Sequence, residues 1–181
     1  MKHDDAELLK AAKRLDGDAL RAIFDTYSSA IYNYALRLCG NCMEADNIVG
    51  DTFALLLEQL AKGKGPETNL RSYLYQTAYR QVIDHSRDQK HYGALELAEQ
   101  KSNDDSSVAR QAEKDAELEF MAAAMKTELT EDQRHVLMLR FVEGFNVEET
   151  AHITGKSVAN VKVIQSRGVE KLRQAFGNKF K

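Results

Sequence analysis

The 181 residues suffice for one medium domain or two small ones, and 43% hydrophobic against 29% charged residues is the balance of a protein with a packed core. No apolar run approaches the roughly 18 residues of a membrane span, the opening Met1-Lys2-His3-Asp4-Asp5 lacks the apolar stretch of a signal peptide, and two cysteines are too few for a disulfide framework. One proline and an abundance of Leu, Ala, Glu, Lys, Arg and Gln predict an all-α protein, cytoplasmic and without membrane insertion.

In chain order, a first block runs from about Asp4 to Arg87. Asp18 is expected to cap a helix continuing to about Leu38, with Leu20, Ile23, Phe24, Tyr27, Ile31, Tyr34 and Leu38 on a broad apolar stripe. Gly40 and Asn41 break it. A second helix is expected from about Glu44 to Ala61, where Val49, Phe53, Leu56 and Leu60 fall at the spacing of one buried face. Lys62 to Asn69 contains Gly63, Gly65 and Pro66 and reads as an irregular loop. A third helix follows from about Leu70 to Arg87, turning Leu74, Ala78, Val82 and Ile83 inward.

Between about Lys90 and Asp115 the periodicity fades, and Ser102-Asn103-Asp104-Asp105-Ser106-Ser107 is too polar to bury, so a flexible connector is expected. The second block opens with a helix near Ala116 to Glu128. Thr130-Glu131-Asp132-Gln133 has the capping-box form and should start a helix that ends before Gly144. Asn146 can cap a short helix ending at Gly155, and Ser157 a last long one carrying Val158, Val161, Leu172 and Phe176. The layout expected is a helical domain at 1–90, a flexible acidic linker at 91–115 and a second helical domain at 116–181.

The net charge of −3 conceals a division along the chain. Glu96 to Glu119 holds eight acids and three bases, whereas Lys156 to Lys181 holds seven bases and one acid. Only local charge matters to a phosphate backbone within a Debye length of about 10 Å. The basic end is where a binding motif is best sought.

That end contains Ala151, Gly155, Val161 and Ile164, in the order and separation of a helix-turn-helix. The first helix needs a small residue where the second crosses it, a glycine tolerates positive φ at the turn, and two apolar residues lock the second helix down. With Val161 at the centre of the buried face, a rotation of about 100° per residue turns Ala159, Asn160, Val163, Ser166, Arg167 and Glu170 outward, with Lys156 and Lys162 at the margins. Asn pairs with adenine, Arg with guanine, and a valine can touch a thymine methyl. Glu170 dissents, because an acid there repels phosphate. A plain αα-corner that merely packs is the alternative.

The two blocks together resemble the sigma-70 family, in the extracytoplasmic-function group that keeps only the second and fourth regions. Glu44-Ala45-Asp46-Asn47-Ile48-Val49-Gly50-Asp51-Thr52-Phe53 resembles the stretch that docks on RNA polymerase, Leu70 to Ala78 with Val82-Ile83-Asp84-His85 the stretch that opens the promoter, and Leu137 to Phe141 with Asn146 to Arg173 the minus-thirty-five reader. The resemblance covers about Asp18 to Arg87 and Leu118 to Phe176. It implies core RNA polymerase and promoter DNA as partners, and an anti-sigma factor as regulator. It also implies a linker that threads the polymerase.

Residue by residue, the resemblance puts polymerase contacts at Asp46, Asp51, Thr52 and Phe53, with Gly50 where the family usually has glutamine; Phe53 also reads as core. Minus-thirty-five contacts fall to Lys156, Ser157, Asn160, Lys162, Val163, Ser166 and Arg167. The loop from Lys62 to Asn69 sits where the family captures a flipped base, which gives Lys62, Lys64, Thr68 and Asn69 a role that an ordinary solvated connector would lack. Tyr73, Tyr75 and Tyr79 are candidates to stack on separated bases, although their spacing spreads them around the helix and at least one should be core. Arg71, Arg80 and Arg87 are candidate phosphate ligands. The family's usual tryptophan in this segment is missing, since the chain has none.

Cys39-Gly40-Asn41-Cys42 is not required by the resemblance. It reads as a redox pair, as half of a zinc site, or as two ordinary helix-end cysteines. Gly63-Lys64-Gly65 lacks P-loop spacing, and there is no nucleophile elbow and no His-Glu-x-x-His. No enzyme activity, metal or cofactor is expected. Two other functions fit the same residues. One is a conventional helix-turn-helix regulator that binds duplex DNA without polymerase; the other is a helical interaction module with no base readout.

Overall fold

The computed structural model describes residues 5–92, 125 and 127–177, with side chains described up to residue 86 in the first stretch. The expected acidic linker, most of the helix expected near Ala116 to Glu128, and the side chain of Arg87 lie outside the described residues. Every described element is helical, as the composition predicts, and the chain divides into two compact units.

The first unit is built from α1 (Asp5–Ala12), α2 (Gly17–Cys39), α3 (Cys42–Ala61) and α4 (Leu70–Tyr92). Its core is the apolar stripe of α2 (Ile23, Tyr27, Ile31, Tyr34) closed by Ile48, Leu56 and Leu60 from α3 and by Leu70, Leu74, Tyr75 and Ala78 from α4. Tyr34 and Tyr75 meet edge to face with ring centroids 5.3 Å apart. Helix α1 adds Leu8, Leu9 and Ala12 to that core, and the Tyr27 hydroxyl donates to an Asp5 carboxylate oxygen at 2.6 Å.

Two expectations need correction. The cap of α2 is Asp16, whose Oδ1 accepts from the Ala19 amide at 2.9 Å, while Asp18 lies inside the first turn. Leu15, at φ 59°, turns the chain just before, so Asp16 is the aspartate with extended backbone. Phe24, expected on the buried stripe, is 46% exposed and reaches across to Phe53, with ring centroids 4.8 Å apart.

The second unit contains α5 (Glu131–Leu137), which runs without a break into a π-helical turn at Met138–Val142, then α6 (Val147–Thr154) and α7 (Val158–Gly177). Each start is capped where the sequence placed it. Thr130 and Gln133 form the reciprocal capping box, Asn146 and Glu149 form another with both bonds at 2.8 Å, and Ser157 Oγ accepts from the Asn160 amide at 3.2 Å. Gly155 sits at φ 67°, a left-handed conformation that permits the tight turn between α6 and α7. Val136, Ala151 and Val161 form the buried centre, with Val147 and Ile164 packed against it. The helix-turn-helix arrangement expected from Ala151, Gly155, Val161 and Ile164 is therefore present.

Candidate nucleic-acid interface

In the second unit α7 offers one open face. Ala159, Asn160, Lys162, Val163, Ser166, Arg167 and Glu170 are all exposed, as the rotation about Val161 predicts, and Val163 is an exposed valine at 46%. The dissenting acid is partly answered, because Glu170 takes Arg173 Nη1 at 2.9 Å and Gln174 Nε2 at 3.1 Å. Lys156 is only 20% exposed and its Nζ pairs with Asp132 at 3.0 Å, so this lysine ties the turn to the start of α5.

Several residues that the sequence did not single out fix the position of α7. Gly168 is buried where α7 crosses α5; a β-carbon there would meet Leu137 Cδ1 at 3.0 Å. Arg140, carried on the π-helical turn, donates from Nε to Gln165 Oε1 at 3.0 Å and from Nη1 to the Phe145 carbonyl. Lys171 Nζ donates to the Glu128 carbonyl at 3.2 Å. His135 is 2% exposed, and burial pushes its imidazole down to about 4, so it is neutral at physiological pH.

In the first unit the loop from Lys62 to Asn69 is anchored at both ends. Gly63, at φ 67°, closes α3, with its own amide donating to Leu60 and the Lys64 amide to Gln59. Pro66 is buried, and Gly65 lies so close to Leu60 that a β-carbon would meet Cδ2 at 2.4 Å. Asn69, at φ 52°, accepts from the Ser72 amide at 3.1 Å, which makes it the cap of α4 and leaves Thr68 as the freer hydrogen-bonding side chain. Lys62 pairs with Glu58, and Lys64 is exposed. Behind the loop a cleft of about 430 Å³ opens between Thr68 and Asn69 on one side and α1 on the other.

The tyrosines separate. Tyr73 and Tyr79 are half-buried, but Tyr75 is 1% exposed, so its expected stacking role is replaced by packing against Tyr34. Arg71 lies over the Tyr75 ring at 5.5 Å, and Arg80 is exposed.

The four expected polymerase contacts also divide between two faces of α3. Asp46 and Asp51 are exposed, while Thr52 is fully buried and Phe53 is 8% exposed. Asp51 faces His85 Nε2 at 3.8 Å, and Glu44 faces His85 Nδ1 at 3.9 Å. A groove of about 440 Å³ joins Asp46 and Val49 to Phe24 and Tyr32 on α2.

At the turn between those helices Cys39 and Cys42 are free thiols; burial raises the Cys39 thiol, which donates to the Asn41 carbonyl at 3.4 Å. Among the described residues no cluster of three His, Cys, Asp or Glu side chains could hold a metal ion. No described helix is long and apolar enough to cross a membrane.

An α7 laid open beyond a glycine turn, in a chain with a separate four-helix unit, defines a helix-turn-helix protein of two parts. The family model for sigma-70 region 2 matches residues 23–92, and that for sigma-70 region 4 matches residues 127–174. The chain belongs to the sigma-70 family, in its extracytoplasmic-function (ECF) group.

Among curated relatives, the ECF RNA polymerase sigma factor BldN of Streptomyces coelicolor is 28% identical over 170 residues. That match takes in 92% of this chain and 63% of BldN, so the chain spans less than two thirds of that relative's length. Among solved structures, CnrH in complex with the cytosolic domain of CnrY aligns over 96% of this chain and 97% of that one, at 20% identity and a TM-score of 0.74. The sigma factor RpoE of Bartonella quintana, in complex with the anti-sigma factor NepR, aligns over 87% of this chain and 96% of that one, at 19% identity and a TM-score of 0.66. These two likenesses are of fold.

Proposed function

We propose that the chain is a transcription initiation factor that binds core RNA polymerase and directs it to specific promoters. The observation that carries this reading is the succession, in one chain, of a region 2 match over α2 to α4 and a region 4 match whose long helix exposes Asn160, Val163, Ser166 and Arg167. In this reading residues 1–90 bind polymerase and open the minus-ten element, and residues 116–181 read the minus-thirty-five element from the major groove. Residues 91–115 join them. Sigma factors are not enzymes, and the chain acts by binding, in the cytoplasm where polymerase and promoter are.

The roles follow from exposure. Asn160 and Arg167 read base edges, Val163 meets a thymine methyl, and Ser157, Lys162 and Ser166 meet the backbone or a base edge. Lys156 supports the turn through Asp132. On the first unit, Thr68 and Asn69 line the cleft that takes an unstacked base, Lys62 and Lys64 flank it, and Tyr73 and Tyr79 offer ring faces. Arg71 and the exposed Arg80 hold phosphates, and the family resemblance alone gives Arg87 the same role. Asp46 and Asp51 meet the polymerase, with Thr52 and Phe53 holding α3 in place behind them. An anti-sigma factor restrains the protein, as the RpoE complex with NepR suggests by analogy.

Gel filtration of the chain with and without bacterial core polymerase, and with a duplex library, tests this. Co-elution with polymerase and weak binding to duplex alone are expected, because two small interfaces gain little until a third body fixes their spacing. Tight, dimeric binding to a palindrome without polymerase would instead make the chain a conventional regulator.

A further inference from the structure

The cleft behind the minus-ten loop has a second wall that belongs to neither family match. That wall is α1, which precedes the matched stretch at 23–92. Ala6, Leu9 and Lys10 of α1 and Lys13 just beyond its end, whose amide donates to the Leu9 carbonyl at 3.0 Å, keep the i, i+3, i+4, i+7 spacing of one helix face, and all four line the cleft. The wall is fixed in the unit by its buried Leu8, Leu9 and Ala12 and by the bond from Tyr27 to Asp5 at 2.6 Å. Leu9 and Leu70 give the cleft an apolar floor, being 3% and 1% exposed. Lys10 and Lys13 are exposed at its edge, and among the described residues neither takes part in an ion pair.

An apolar floor, a hydrogen-bonding side at Thr68 and two unpaired cations at the rim match the three parts of a nucleotide. A volume of about 430 Å³ is that of a small-ligand pocket and admits one nucleotide, not a duplex. Two carboxylates also line the cleft. Asp5 already accepts from Tyr27, and Glu67 is an acceptor suited to a base's exocyclic amine. The phosphates therefore fall to the lysines.

We infer that α1 is part of the promoter-binding surface, with Lys10 and Lys13 holding the phosphates that flank a single unpaired nucleotide whose base enters the cleft against Thr68. This rests on the reading of the Lys62 to Asn69 loop as a minus-ten contact. It adds to that contact a helix that the region 2 match leaves out.

The test uses the full chain with core polymerase and promoter fragments mapped by run-off transcription, carrying an unpaired minus-ten segment. Fluorescence anisotropy over a salt series gives affinity and its salt dependence. The Lys10→Gln, Lys13→Gln double variant should bind roughly tenfold more weakly, with a log–log salt slope shallower by about 1.4, or about 0.7 for each single-strand phosphate left without its lysine. Its base preference should be unchanged, and Lys10→Arg with Lys13→Arg should restore both quantities. On fragments that end upstream of the minus-ten element the variants should match the parent.

Parental affinity and slope in the double Gln variant would overturn the inference, as would an equal loss on the fragments lacking the minus-ten strand. Thr68→Ala separates this from the loop reading, because it should change base preference and leave the slope alone. If Thr68→Ala changes neither, the loop reading fails and the role of α1 fails with it.

Discussion

Gly168 and Leu137 are in contact where α7 crosses α5: a β-carbon on Gly168 would lie 3.0 Å from Leu137 Cδ1 and 3.4 Å from Gln133 Cβ. The missing side chain lets α7 lie flat against α5, and the face that carries Asn160 and Arg167 is presented from that bed. Gly168→Ala must push Leu137, itself 4% exposed, out of its place. Overpacking of this kind costs about 1–3 kcal/mol. Gly50, in the middle of α3, has open space around its β-position, so Gly50→Ala should stabilise by up to about 1 kcal/mol through helix propensity. Urea unfolding of the two variants should shift in opposite directions.

Base readout and phosphate attraction separate on α7. Asn160→Ala and Arg167→Ala should each cost about 1–3 kcal/mol on the preferred minus-thirty-five element and relax preference at one position. Lys162→Ala should weaken all sequences alike and make the salt slope shallower by about 1. Competition binding of the polymerase complex to a randomised minus-thirty-five library reads both.

Arg140 ties the π-helical turn to α7, so its predicted effect on DNA binding is indirect. Replacing it with methionine removes the bonds to Gln165 and to the Phe145 carbonyl while keeping most of the aliphatic stem. Minus-thirty-five affinity should fall severalfold with base preference unchanged, because the helix is loosened and its reading side chains are intact. A changed preference in the same library experiment would place Arg140 at the DNA instead.

His135 makes the second unit acid-sensitive. Its folded value of about 4 lies below the ordinary 6.5, so between those values the unfolded chain binds the extra proton. The stability is fully present above about 6.5 and is lost as pH falls toward 4, by up to about 3 kcal/mol. Chemical denaturation at a series of pH values should show that slope, and His135→Leu should flatten it.

Thr52 tests the division of α3 into two faces. Its hydroxyl is buried with no hydrogen-bond partner among the described residues, so Thr52→Val should be neutral or stabilising by about 1 kcal/mol and leave polymerase affinity unchanged. Asp46→Ala with Asp51→Ala should lower polymerase affinity and leave stability nearly unchanged. Titration of labelled core polymerase checks both.

What was legible in the sequence is what local rules decide. The caps at Thr130, Asn146 and Ser157, the turn at Gly155 and the outward face of α7 each depend on residues within about one helical turn, and they stand where expected. What was not legible depends on distance between elements. Periodicity gave Tyr75 an angle on α4 but not its neighbour Tyr34, and it placed Phe24 on a buried stripe whose edge is open. Asp16 and Asp18 are equal as capping residues until Leu15 turns the chain. The π-helical turn beneath Arg140 and the closeness of Gly168 to Leu137 follow from packing that no single segment records.

Run-off transcription with bacterial core polymerase, with and without this chain, on genomic fragments that include its own upstream region, tests the central claim most directly. The account predicts start sites that depend on the chain, share two sequence elements on alignment, and disappear when Asn160 and Arg167 are replaced together. If polymerase starts nowhere new while the chain alone retards duplex DNA, it is not an initiation factor.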